Sequence, residues 1–143
     1  MRLIQIVAAT SLCLSIAPGP AESKHTEQLT GGYCTKSGKS FNIQRLPNKQ
    51  LKFVGSADFG TNRGAYIYGL ARESKDSSFI FKRGKAKLIL HFYPTSKLIV
   101  THEGDQNTGF KFDKGVDLDG AYKKVAQKPT FKIDCEDTPW QSQ

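Results

Sequence analysis

Short runs in which apolar and polar residues alternate cover most of this chain, and they leave little choice of fold. Leu51, Phe53, Gly55, Ala57 and Phe59 alternate with Gln50, Lys52, Val54, Ser56 and Asp58. Val116, Leu118, Gly120 and Tyr122 alternate with Asp117, Asp119, Ala121 and Lys123, and Phe131, Ile133 and Cys135 alternate with Thr130, Lys132 and Asp134. Side chains on a strand point alternately to the two faces of a sheet, so a period of two marks strands with one buried face. Further strands are predicted over 41–46, 65–71, 78–82, 87–93 and 97–103. Turn-forming residues separate them: Pro47-Asn48, residues 60–64, Lys75-Asp76, Arg83-Gly84, Pro94-Thr95-Ser96 and residues 104–109. No heptad or long helical period is present, and no internal repeat stands out.

About eight short strands joined by tight turns predict an all-β fold, an antiparallel up-and-down meander. A meander of that length exposes two edges, and closing into a small barrel removes them. A two-sheet β-sandwich is the alternative.

The first 21 residues have the three parts of a secretory signal peptide. A basic start at Arg2 precedes an apolar run from Leu3 to Ile16, and Ala17-Pro18-Gly19-Pro20-Ala21 supplies a helix-breaking, small-residue exit. Cleavage after Ala21 leaves about 122 residues, with 22–28 a flexible lead-in, 29–135 a single β-barrel domain and 136–143 a flexible tail. The apolar run is too short to span a bilayer, and no transmembrane segment remains after cleavage. The expected location is periplasmic or secreted. Cys13 leaves with the signal, so Cys34 and Cys135 remain as a pair, which in an oxidising compartment reads as a disulfide. In a closed barrel the first and last strands are neighbours, so that bond would staple the seam.

Loss of Arg2 leaves 20 basic against 13 acidic residues, a net +7. Such a charge favours acidic partners. Outside the cytoplasm these are lipopolysaccharide, peptidoglycan, acidic glycans or an acidic protein; nucleic acid is excluded by location. The densest basic cluster is the hairpin tip Lys82, Arg83, Lys85 and Lys87.

Sequence signatures of catalysis are missing: there is no Gly-x-Ser-x-Gly, phosphate-binding loop or dinucleotide fingerprint. His91 lies out of phase with Leu88, Leu90 and Phe92, which turns it away from the core. His102-Glu103-Gly104-Asp105 carries three ligand types, but strand neighbours face opposite ways and cannot converge on one ion. Asp117 and Asp119 fall at part of a calcium-loop spacing, yet alternation places them on the solvent face of a strand. The chain therefore reads as non-enzymatic, with no metal and no cofactor. Residues 55–69 stand out as a recognition surface, combining glycines with Asp58, Phe59, Asn62, Arg63, Tyr66 and Tyr68. Arg and Tyr are frequent energetic anchors of interfaces.

Residues 50–124 also resemble a known group. Lys87-Leu88-Ile89-Leu90-His91-Phe92, Lys97-Leu98-Ile99-Val100, Gly109-Phe110 and Gly120-Ala121-Tyr122-Lys123-Lys124 fall in the order seen in small exported bacterial β-domains similar to periplasmic lysozyme inhibitors. That group often carries a second cysteine pair, where this chain has Ala86 and Thr108. The resemblance implies a protein-binding role, as an inhibitor or immunity protein against a cell-wall hydrolase or a delivered toxin. A partner at +7 would be repelled by basic lysozymes at long range, so an acidic hydrolase or toxin fits better.

Overall fold

The structure is a computed structural model that describes residues 29–58, 63–94, 96–129 and 135. Eight antiparallel strands follow one another around a closed barrel: β1 (Gly31–Cys34), β2 (Ser40–Leu46), β3 (Gln50–Asp58), β4 (Gly64–Glu73), β5 (Phe79–Arg83), β6 (Ala86–Tyr93), β7 (Lys97–Glu103) and β8 (Gly120–Ala126). Each strand pairs with the next, and β8 pairs back onto β1 at Gly32↔Ala126, Tyr33↔Lys124 and Cys34↔Lys123.

The alternation seen in the sequence becomes the inside and outside of this barrel. Phe41, Ile43, Leu51, Phe53, Ile67, Phe79, Leu88, Leu90, Leu98, Val100 and Tyr122 point inward and form one buried cluster. Rings meet edge-on within it: Phe41 with Tyr122 at 5.2 Å and Phe53 with Phe81 at 5.1 Å between centroids. Two inward glycines make room for this packing. A Cβ on Gly55 would lie 2.6 Å from the Phe41 ring, and one on Gly69 would lie 2.5 Å from the Phe81 ring.

Three elements differ from the sequence reading. Cys34, expected at the start of the first strand, ends β1 instead, because residues 31–34 pair with both β2 and β8. The run predicted as a strand over 116–123 becomes one only from Gly120. Before it, the β7–β8 connection crosses the barrel end, starting with a short helix α1 (Gln106–Phe110) where a plain turn is predicted. Phe110, Phe112, Val116 and Leu118 are buried there. Their spacing mimics a strand, but they are caught between the connection and the barrel mouth. The strand predicted over 130–135 lies outside the described residues except for Cys135.

A five-residue pattern recurs at the two strands that close the barrel. Leu29-Thr30-Gly31-Gly32-Tyr33 leads into β1, and Leu118-Asp119-Gly120-Ala121-Tyr122 leads into β8. In each, the tyrosine hydroxyl donates to the carbonyl four residues earlier: Tyr33 Oη to Leu29 O at 2.9 Å and Tyr122 Oη to Leu118 O at 2.6 Å. In each, the glycine has φ of 153°, a value side chains rarely accept. The ring fills the core while its hydroxyl pins the incoming chain, so one residue serves both packing and entry angle. The bond between Cys34 and Cys135 is formed. It ties two residues 101 apart in sequence, a constraint worth about 4–5 kcal/mol on chain-entropy grounds.

Tyr33→Phe and Tyr122→Phe should each lower stability by about 1 kcal/mol, read from urea unfolding. Burial raises the pKa of both phenols, and at Tyr122 the carboxylates of Asp119 and Asp117 add to the shift. The folded state therefore keeps protons that the unfolded chain sheds above about pH 10. Stability should fall as pH rises past that point. In an absorbance titration, the tyrosinate signal of two of the five tyrosines should appear only as the fold is lost.

Candidate functional site

With its inside filled by side chains, the barrel offers partners its outer surface. Four large apolar side chains are exposed among the described residues: Tyr66 (58%), Tyr68 (60%), Leu70 (49%) and Tyr93 (44%). Three of them are consecutive outward positions of β4, so they form one stripe. The rings of Tyr66 and Tyr68 sit 6.0 Å apart. Across the β3–β4 ladder they stand opposite Ser56 and Val54, with Leu70 opposite Lys52. Arg72 continues the stripe outward.

The stripe lies where two strands part. β4 and β5 pair only at Arg72↔Ile80 and Glu73↔Phe79, although β4 is ten residues long. Some backbone groups of its first half find other partners. Arg83 Nη2 donates to Tyr68 O at 3.3 Å, with its guanidinium 5.1 Å from the Phe81 ring. Gly64 N donates to Asp113 Oδ2 at 2.8 Å. The β4 edge is thus capped by an arginine and by the β7–β8 connection.

Within residues 55–69, those up to Asp58 and from Gly64 onward belong to two long paired strands. Tyr66 and Tyr68 do present an outward aromatic pair. Arg63 is exposed, but its Nη2 donates to Lys114 O at 2.6 Å, which ties the β3–β4 turn to the β7–β8 connection. Asp58 is exposed at the end of β3. Phe59 and Asn62 lie outside the described residues. Leu70 was missed, although its phase with Tyr66 and Tyr68 is visible in the sequence.

The basic tip divides in the same way. Lys87 pairs with Glu103 at 3.3 Å and Arg83 serves the β4 edge, while Lys82 and Lys85 are exposed. Asp117 and Asp119 do not line the solvent face of a strand. Lys39 Nζ bonds Asp117 Oδ1 at 3.1 Å and Asp119 O at 2.9 Å, and Asp119 accepts from His102 Nδ1 at 2.8 Å. These contacts fasten the β7–β8 connection to β7 and to the β1–β2 turn. His91 is half-buried, its ring stacked on Tyr93 at 4.9 Å. Among the described residues, no three His, Cys, Asp or Glu side chains come together as a metal site, and no helix is long and apolar enough to cross a membrane.

Comparison of the chain with family models, with curated proteins and with solved structures finds no match. The candidate site therefore rests on its own geometry.

Arg63 and the tyrosines should separate experimentally. Arg63→Ala should speed proteolysis of the β3–β4 turn and of the β7–β8 connection together. Tyr68→Ser removes a largely exposed ring, so its unfolding free energy should stay within about 0.5 kcal/mol of the parent.

Proposed function

We propose that this protein is a non-enzymatic binding module, exported to the periplasm or beyond the cell, that docks a protein partner on the outer face of β4. The observation that carries this reading is the contiguous stripe of Tyr66, Tyr68 and Leu70. Burying such a stripe between proteins releases water from apolar surface, and its two phenols keep a polar handle. Lys52, Arg72 and Arg83 flank it, with Asp58 at its far end. The charge surrounding the aromatic centre is thus mainly positive, which complements an acidic partner. A cell-wall hydrolase or a delivered toxin of acidic surface fits the export signal and the likeness to lysozyme inhibitors. On this reading the basic residues act on encounter, while the tyrosines hold the complex.

A photo-crosslinking amino acid placed at position 68 of the mature protein tests this directly, with position 44 on the outer face of β2 as the control. In extract of the cell envelope, position 68 should capture one acidic protein whose hydrolytic or toxic activity falls on adding the purified module. The Tyr66→Ser, Tyr68→Ser variant should bind that protein at least about a hundredfold more weakly, as expected for two anchor residues. Equal capture from both positions, or a captured protein whose activity is unchanged, would refute the proposal.

A further inference from the structure

The side of the barrel opposite β4 carries a second constellation that protein docking on β4 leaves unused. Direct cross-strand pairing sets Tyr93 beside Lys97, Lys97 beside Lys123, and Lys123 beside Cys34. One register lower, His91, Ile99 and Ala121 stand in a row. The two rows share the outward face of β6, β7 and β8. A groove of about 630 Å³ runs along β8 here, lined by Lys97, Lys123, Gly120, Ala121 and the β1–β2 turn at 35–37, with Asp119 also in its wall.

Two lysines directly opposite each other repel and cost stability. The barrel has two such pairs, and they are treated differently. Lys82 stands opposite Lys87, and Glu103 neutralises Lys87 at 3.3 Å. Among the described residues, no ion pair involves Lys97 or Lys123. The nearby carboxylates are engaged elsewhere, Asp119 by His102 and Asp117 by Lys39. Two exposed ammonium groups therefore share one end of a groove with no counter-charge of their own, next to a stacked, partly exposed Tyr93–His91 pair.

We infer that this groove binds an acidic glycan, a polysaccharide bearing carboxylates on its sugar rings. Neighbouring strands lie about 4.8 Å apart, so the two ammonium groups can meet one carboxylate together or two carboxylates of one chain. The face of Tyr93, backed by His91, suits the C–H face of a pyranose ring. The hydroxyls of Thr35 and Ser37, bonded to each other at 2.9 Å, belong to the same lining. The small residues Gly120 and Ala121 leave the stretch of β8 beside Lys123 open to a polymer chain. The basic hairpin tip at Lys82 and Lys85 has charge without the groove or the ring.

A short oligogalacturonate is the probe, titrated into the isotope-labelled mature protein at low salt. The amide signals of Ser37, Lys97, Gly120, Ala121 and Lys123 should move together, and those of Tyr66 and Tyr68 should not. Lys97→Gln with Lys123→Gln should weaken binding on the order of tenfold, and Tyr93→Ser should weaken it with little change in salt dependence. Lys82→Gln with Lys85→Gln should leave it unchanged. The Lys97 and Lys123 double variant should also melt higher than the parent without ligand, since it removes a repulsion. Lack of shifts in the groove, equal loss in the two double variants, or binding of polyphosphate but not oligogalacturonate would overturn the inference. Each outcome is independent of the β4 stripe.

Discussion

Everything in this fold depends on β1 finding β8. Seven of the eight ladders join strands that are neighbours in sequence, and these form locally. The eighth must bring Gly32 to Ala126 across nearly the whole domain. Its strand β1 has only four residues, so backbone hydrogen bonds alone give it little hold. The closing ladder is reinforced from three directions. Tyr33 fixes the chain entering β1, Tyr122 fixes the chain entering β8, and Cys34 is bonded to Cys135. The glycine two residues before each tyrosine lets the backbone turn sharply onto the seam. At Gly31 it also admits the close approach of the opposite strand, where a Cβ would lie 2.4 Å from Ala126 O.

The strands between were legible because each has one wet and one dry face. Period-two reading locates β2, β3, β6 and β7 within a residue or two of their ends, while strand number points to the closure and the cysteine count to the disulfide. It fails where burial has another origin. Val116 and Leu118 alternate with Asp117 and Asp119 as in a strand, but their depth comes from lying across the barrel mouth, and the aspartates are held by Lys39 and His102. No local pattern distinguishes that case from a strand. The twofold Leu-x-Gly-x-Tyr pattern is too short to stand out in the sequence as a repeat. Its meaning appears only when both copies meet at one seam.

The candidate surfaces were legible in composition more than in geometry. Tyr66 and Tyr68 were visible as aromatics among glycines, but the glycines pointed to a flexible loop. Gly55 and Gly69 are in fact rigid packing positions that seat Phe41 and Phe81. Arg63 looked like an anchor for a partner and proves to be a tie within the chain. The Lys97–Lys123 row was invisible, since the residues are 26 apart and only the β7–β8 register joins them.

The parting of β4 from β5 has a further consequence for how the molecule avoids joining copies of itself. A strand that lacks a neighbour is a template for backbone pairing, and one bearing two tyrosines and a leucine is a strong one. Arg83 occupies the Tyr68 carbonyl, and Asp113 holds the Gly64 amide, so an incoming strand meets two backbone groups already taken and a positive charge at its edge. A partner docking there would bind through side chains, which can tell one partner from another. Backbone pairing, which would accept any extended chain, is opposed by the arginine seated on that edge.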